Sequence, residues 1–380
     1  MTRVSLIPCA DYARDVVGRA VHEALAPLGG MEAFVRPGMR VLVKVNLLMR
    51  RAPERATTTH PEVVRALCRE VMEAGGTAIV ADSPGGPFTR GALCGVYETC
   101  GMRALQEAGV CELNDDFSSA TCAFPQGHIA YSLDVIACAL HADAIIDVGK
   151  LKTHGLTGMT ACAKNLFGLV PGTVKAEYHA RYPDIDDFST MLCDLCAFVR
   201  PALCVLDAVD AMEGEGPSGG RPRRVGAILA GVDPHAVDAV AARLIGLDEE
   251  RVTTLRAARR LGLLDAPQVL GACVEDLCVQ GFDLPGPSSA LSGRWLLTHL
   301  PGFLRPRPVF THAACDGCGT CLRACPAKAI SMDGANRPRV DMRKCIAASA
   351  ARSCAQRRTC ASTETRYSAI CADAPCARGG

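Results

Sequence analysis

Short apolar, β-branched runs alternate with amphipathic stretches over residues 1–280. Residues 39–48, MRVLVKVNLL, are apolar at most positions, which is typical of a strand buried on both faces. In THPEVVRALCREVMEAGG, which follows, apolar residues recur at helical spacing, and a proline suits the first turn. The strand pattern returns at residues 141–152, 201–212 and 224–233. This alternation predicts an α/β fold with a mostly parallel sheet flanked by helices.

The composition changes after Phe282. The stretch FDLPGPSSALSG is rich in Pro, Ser and Gly, as linkers are. RWLLTHLPGFLRPRP follows, and its prolines favour a docking segment between domains over a helix lying on a membrane surface. The predicted organisation is an α/β domain at 1–280, a linker or docking segment at 281–310, a small third module at 311–346 and a poorly ordered tail at 347–380.

Charge and composition exclude several classes of function. The formal net charge is +1 and no basic stripe is visible, so we predict no nucleic-acid partner. The N-terminal stretch lacks a signal-peptide core, and no run reaches the roughly 20 apolar residues of a membrane helix. We therefore predict a cytoplasmic protein without a transmembrane segment. In that compartment, its 22 cysteines indicate metal ligation or burial rather than disulfides.

Residues 315–326, CDGCGTCLRACP, have the cysteine spacing of bacterial ferredoxins. One tight loop can place the thiolates of Cys315, Cys318 and Cys321 on three corners of a 4Fe–4S cluster. Cys325 is the fourth cysteine of the run, which ligates the other cluster in two-cluster ferredoxins. A zinc knuckle, the alternative, would need a separate pair of ligands. We predict a 4Fe–4S cluster, with these four cysteines as metal ligands, so the module at 311–346 is a small ferredoxin-like iron–sulfur module.

A second cluster motif begins at Cys345 and is not completed. Ferredoxin spacing calls for cysteine at three later positions, where the chain has Ala348, Ala351 and Ala355. In a two-cluster module, position 355 would also supply the last ligand of the first cluster, and the adjacent Cys354 is the alternative. The chain as written therefore predicts one cluster.

Alanine at all three positions indicates a change of reading frame after about Ile346. Alanine codons begin with GC, so a slip of one nucleotide that places T in front gives the cysteine codon TGC. Restoring the frame would give two clusters. The alternatives are a genuine loss of one cluster and a tail that is simply unstructured.

Several stretches, taken in order, resemble the DUF362 family over about residues 3–280. They are VKVNLL, TTTHPEVVRAL, ADSPGG, KLKTHGLTGMTACAKNLFG, PALCVLDAVDAMEGEGPSGG and GVDPHAVDAVAARLIGLD. Proteins of that family are often fused to a two-cluster ferredoxin module, and their activity is poorly defined. The resemblance therefore implies the family and its iron–sulfur module, and it names no substrate.

Residues 150–172 combine cations and glycines directly after a strand, where open α/β sheets bind ligands. We expect Lys152, His154 and Lys164 to form a catalytic site for a small acidic molecule. A helix starting near Thr157 would add N–H groups, and burial would lower the pKa of Lys164. A solvated cationic loop is the alternative. The further residues expected to bind a cofactor are Lys44, Asn46, Asn165 and His179.

The chain also resembles, more distantly, the lactate racemase family. The resemblance lies in the order of its features: TTTHPEVVRAL, then a strand, then His154 and Lys164 before VPG. There the corresponding histidine and lysine hold a nickel-pincer nucleotide, the lysine covalently, and His179 would match a further histidine. The glycine-rich run before that family's lysine is absent, with TACAKNLFG in its place, so we do not predict this cofactor.

Two classes of function follow. The first is an iron–sulfur oxidoreductase that passes electrons between a small acidic ligand in the α/β domain and an unidentified donor or acceptor. The second is a non-catalytic ligand-binding or electron-carrier protein, with racemase- or isomerase-like chemistry as a further alternative. A cluster that changes oxidation state in response to a small molecule would distinguish the first from the second.

Overall fold

The computed structural model describes residues 2–284, 309–310, 317, 319–323, 329–341 and 360–361. The chain divides into two units, Met1–Arg294 and Trp295–Gly380. The boundary lies inside the segment predicted as a linker, of which residues 285–308 are outside the described part. The predicted domain limits remain predictions.

Residues 2–284 contain a nine-stranded sheet and a separate hairpin. In chain order the strands are β1 (Arg3–Pro8), β2 (Arg40–Val45), β3 (Thr77–Ala81), β4 (Glu112–Leu113), β5 (Ser119–Ala123), β6 (Ser132–Ile136), β7 (Ala144–His154), β8 (Gly158–Thr160), β9 (Leu203–Glu213), β10 (Arg221–Gly231) and β11 (Gln268–Gly271). The sheet order is β11-β1-β10-β9-β7-β2-β3-β4, with β8 paired to β7. The run from β9 through β7, β2 and β3 to β4 is parallel, which confirms the mostly parallel sheet.

Helices flank this sheet, as the alternation of patterns predicts. They are α1 (Arg14–Leu25), α2 (Pro61–Glu73), α3 (Arg90–Thr99), α4 (Met102–Glu107), α5 (Ala137–Leu140), α6 (Cys162–Asn165), α7 (Lys175–Arg181), α8 (Ile185–Val199), α9 (Pro234–Leu244), α10 (Thr253–Arg260) and α11 (Val274–Leu277). Side chains of α1 and α2 fill one buried hydrophobic cluster, those of α9 a second, and those of α8 a third. Within the described ranges, no helix is long and apolar enough to cross a membrane.

The direction of the chain connections changes between β2 and β7, which are neighbours in the sheet. From β2 the chain passes through α2 to β3 on one side, whereas after β7 it reaches β9 on the other side. In open α/β sheets, such a switch leaves a crevice at the carboxyl ends of the two strands. The fold therefore offers a place for a ligand beyond Val45 of β2, beside the part of β7 that follows Val148.

The segment after β7 differs from its prediction. β7 turns back at His154 and pairs antiparallel with β8, and Gly158 at the start of β8 has φ +78°. The next helix, α6, begins only at Cys162 and spans four residues. The predicted helix start near Thr157 is wrong because the strand continues into a hairpin.

Among its described residues, the second unit has a short helix, Thr320–Arg323, and four short strands: β12 (Val309–Phe310), β13 (Ile330–Met332), β14 (Pro338–Val340) and β15 (Cys360–Ala361). β13 and β14 form an antiparallel hairpin. β12 pairs with β15, so two residues of the predicted poorly ordered tail lie in a strand. The rest of that tail, including the proposed frame change, lies outside the described residues.

Candidate functional site

The lysines of the first unit are concentrated around the crevice between β2 and β7. Residues 2–284 contain 22 arginines and only five lysines. The lysines are Lys44 on β2, Lys150 and Lys152 on β7, Lys164 on α6 and Lys175 on α7. All five are buried or half-buried, and burial, together with the charges of neighbouring lysines, lowers the pKa of Lys152 and Lys175. Lysine is therefore used at this site and arginine at the surface.

Two of the five lysines form buried ion pairs. The amino group of Lys44 lies 3.1 Å from a carboxylate oxygen of Asp82. The amino group of Lys150 donates to Asp207 at 2.8 Å and to the hydroxyl of Tyr12 at 2.8 Å. A buried charge needs such a partner, since desolvation otherwise costs several kcal/mol. These two cations are compensated within the protein.

A network of side-chain amides connects β2, β7 and α6. Lys152 donates to the Asn46 oxygen at 2.9 Å, and the Asn46 nitrogen donates to the Asn165 oxygen at 3.1 Å. The side-chain oxygen of Asn165 also accepts a hydrogen bond from Lys44 at 3.1 Å, and the side-chain nitrogen of Asn165 donates to Asp147 at 2.8 Å. The structure thus brings together four residues that the sequence selects from distant positions. No carboxylate is paired with Lys152 among the residues that the structure describes.

Lys164 is surrounded by aromatic rings. Its nitrogen lies 5.3 Å from the ring centroid of Phe167 and 5.5 Å from that of Phe188. The ring of His179 stacks on Phe188, with centroids 4.4 Å apart. Lys164 has neither a hydrogen bond nor an ion pair within the described part of the chain. Its ammonium form is therefore held only by weak cation–π contacts.

Lys175 belongs to the same cluster and was not selected from the sequence. Its amino group donates to the backbone carbonyl of Ser83, and it lies 5.7 Å from the ring centroid of Phe167. Ser83 begins the loop SPGG after β3, and a side chain at Gly172 would overlap the carbonyls of that loop. The rarity of lysine over residues 2–284 is the sequence signal that would have identified Lys175.

Burial makes the uncompensated lysines unusually acidic. It lowers the pKa of Lys152 to about 7 and that of Lys164 to about 8. It also lowers the pKa of Lys175 to about 7, and Asp82 partly opposes this shift. Each ammonium has lost hydration without gaining a full counter-charge. The site therefore carries a deficit of negative charge.

His154 is a neutral imidazole in this surrounding. Burial, followed by the charge of Lys164, lowers its pKa well below the ordinary value of 6.5. Its Nδ1 accepts hydrogen bonds from the N–H groups of Leu156 at 3.0 Å and Thr157 at 3.3 Å. The proton of the neutral ring is therefore on Nε2, which can donate to a ligand. The functional roles of His154 and the other selected residues remain predictions.

A cluster of possible metal-ligating atoms adjoins the amide network at Asp147. The carboxylate of Asp147 and the thiols of Cys162 and Cys204 lie within 4.8 Å of one another, and all three residues are buried. Burial raises the pKa of Asp147 to about 7 and that of Cys204 to about 11, and it raises the pKa of Cys162 well above the ordinary value of a thiol. Neutral, buried thiols account for this cluster, and we assign no metal to it.

The iron–sulfur motif is described only in part. Cys321 is half-buried on the helix Thr320–Arg323, whereas Cys315, Cys318 and Cys325 lie outside the described residues. Gly317, between the predicted ligands, has φ +70°, and a Cβ there would lie 3.1 Å from atoms of Asn336. A tight loop without side chains at such positions fits a cluster ligated by closely spaced thiolates.

Comparison with protein families identifies both parts of the chain. Residues 41–243, more than half of the chain, match the model described as "Domain of unknown function (DUF362)". The chain belongs to the DUF362 family. Residues 308–331 of this DUF362 protein match the "4Fe-4S binding domain", so it is an iron–sulfur protein with a 4Fe–4S module. A thylakoid-associated protein of Synechocystis sp. is 38% identical over 264 residues, which cover 68% of this chain and 79% of that protein.

Solved structures offer only weak likenesses to this DUF362 protein. The lactate racemase apoprotein of Thermoanaerobacterium thermosaccharolyticum has a TM-score of 0.39 at 13% identity, covering 63% of this chain and 57% of that one. A protein of Thermotoga maritima has a TM-score of 0.36 at 13% identity, covering 60% and 58%. The chain therefore spans less than two thirds of either structure.

Proposed function

We propose that the α/β domain binds a small organic acid at the lysine site, and that the 4Fe–4S module exchanges electrons with it. The protein would then act as an iron–sulfur oxidoreductase. The supporting observation is the charge of the site, since Lys152, Lys164 and Lys175 lack a carboxylate partner among the described residues. A bound anion would supply the missing negative charge.

The lowered pKa values indicate how the ligand is recognised. Near pH 8 the three amino groups are partly or largely deprotonated, because burial disfavours their ammonium forms. An anion reverses this preference, so its binding should be accompanied by proton uptake. The Nε2–H group of His154 is a further donor. The rings of Phe167 and Phe188 supply an apolar surface that suits the carbon atoms of an organic acid better than inorganic phosphate.

Proton uptake offers a direct test of the anion site. Oxalate, pyruvate and phosphate are titrated calorimetrically into the anaerobic, cluster-loaded chain at about pH 8 in two buffers of different ionisation enthalpy. We expect an organic acid to bind with buffer-dependent heat. Lys164→Met should weaken this binding by about tenfold, the equivalent of one lost charged contact. Absence of binding by all three anions would remove the proposal.

Electron exchange is tested separately with the same protein. The cluster is reduced with dithionite, excess reductant is removed, and the visible absorbance is followed after each acid is added. A substrate should reoxidise the cluster, and the change should be lost in Lys164→Met. Binding that leaves the cluster reduced would support the ligand-binding or carrier alternative instead. The cytoplasmic location and the electron partner remain predictions.

A further inference from the structure

The amino group of Lys164 differs from those of the other lysines in its hydrogen bonding. Lys44, Lys150, Lys152 and Lys175 each donate to at least one oxygen of the protein. Lys164 donates to none among the residues that the structure describes. An amine held by oxygen acceptors must break those hydrogen bonds before it attacks a carbonyl, whereas one without acceptors can offer its lone pair directly.

The surroundings of Lys164 suit a nucleophilic amine. The rings of Phe167 and Phe188 lie 5.3 and 5.5 Å from its nitrogen and exclude water from two sides. The Lys164 residue is half-buried rather than fully buried in the ligand-free chain. In addition to burial, the charge of Lys164 lowers the pKa of nearby Lys152 and Lys175. The amino groups of these two lysines can hold a carboxylate. A desolvated lysine beside other cations is an established arrangement for attack on a carbonyl.

We propose that Lys164 forms a Schiff base with the carbonyl carbon of a small 2-oxo acid. The inference rests on the anion site proposed above, because neighbouring lysines hold the carboxylate while Nζ reaches the adjacent carbonyl. The lone pair of Nζ adds to the carbonyl carbon and gives a carbinolamine. The carbonyl oxygen then leaves as water with the two amine hydrogens, and a C=N bond replaces the C=O bond. No electrons are gained or lost in this step.

The protonation state at neutral pH is consistent with this chemistry. With its pKa lowered to about 8, about a tenth of Lys164 is neutral at pH 7. An ordinary lysine at 10.5 is neutral in less than about one molecule in a thousand. The site thus supplies far more of the reactive amine than a surface lysine does.

Reductive trapping tests the proposal. The anaerobic, cluster-loaded chain is incubated with pyruvate and cyanoborohydride, whose hydride reduces any imine to a stable secondary amine. Peptide mapping by mass spectrometry then locates the adduct. We expect the label on Lys164, and we expect oxalate to suppress it because oxalate occupies the carboxylate site without an electrophilic ketone.

Lys175 is the internal control, since burial also lowers its pKa, but the Ser83 carbonyl holds its amino group. Labelling of Lys175 should be at least about tenfold slower, because that hydrogen bond must break before attack. Lys164→Met should show only background label while keeping the circular dichroism of the parent chain. Equal labelling of both lysines would overturn the proposal. Organic-acid binding with proton uptake but no label on Lys164 would overturn it while leaving the anion site intact.

Discussion

Replacing Lys164 with methionine should stabilise the ligand-free protein near neutral pH. The ammonium group lies against aromatic rings, and burial lowers its pKa from 10.5 to about 8. Each pKa unit corresponds to about 1.4 kcal/mol, so keeping the charged form in the folded protein costs about 3 kcal/mol. Methionine has a similar length, fits an irregular apolar surrounding and removes the charge. We expect a gain in unfolding free energy that approaches this value.

The gain should depend on pH in a defined direction. Below about pH 8, Lys164 is protonated in both the folded and unfolded states, so the folded protein bears the full desolvation cost. Between about pH 8 and 10.5 only the unfolded chain holds the proton, and the cost disappears as the pH rises. The advantage of Lys164→Met should therefore be greatest at low pH and fade towards pH 10.5.

Urea unfolding followed by far-UV circular dichroism measures this difference at about pH 6.5, 8 and 10. Arg19→Met is the control, since Arg19 forms an exposed ion pair with Asp15, and its loss should change stability by less than about 1 kcal/mol. A Lys164→Met protein that is less stable than the parent at pH 6.5 would refute the reasoning. That result would mean that the ammonium is well solvated or has an anionic partner.

Three further predictions concern the packing and the cofactor. Gly168→Ala should lower the free energy of unfolding in urea by about 1–3 kcal/mol, because the new Cβ would overlap the buried ion pair of Lys44 and Asp82. Gly155→Ala is the control: its Cβ would meet no atom within 4 Å, so stability should be nearly unchanged. Asp207→Asn should lower the free energy of unfolding by about 3–5 kcal/mol, because it leaves the buried Lys150 ammonium without its counter-charge. Asp15→Asn, which breaks an exposed ion pair, is the control and should lower it by less than about 1 kcal/mol. Metal analysis of the anaerobically purified chain should find about four irons, since only one cluster motif is intact. About eight irons, or tightly bound zinc, would contradict the last prediction.

The frame change is a hypothesis about the coding DNA, and sequencing decides it. We expect the bases after the codon for Ile346 to spell cysteine at positions 348, 351 and 355 in the shifted frame. If the bases cannot do so, the frame hypothesis is rejected, and the remaining explanations are a genuine loss of the second cluster and an unstructured tail. A frame-restored protein should then hold about eight irons.

The sequence determined those features that depend on neighbours in the chain. Alternating patterns predicted the mostly parallel sheet, because burial of strands and helices requires these local periodicities. The cysteine spacing predicted the 4Fe–4S module, since one loop supplies most of its ligands. The sequence predicts that Lys152, His154 and Lys164 follow a strand, whereas in the structure Lys152 and His154 lie within β7 and Lys164 follows on α6.

Only the tertiary structure decided which charges are compensated. Lys150 and Asp207 are 57 residues apart and form a buried pair, whereas Lys164 has neither a hydrogen bond nor an ion pair in the described ranges. The hairpin after His154 and the approach of Lys175 to the loop after β3 likewise join segments with no shared local pattern. Electrostatic compensation depends on distance and burial in space, which periodicity and motif spacing do not encode.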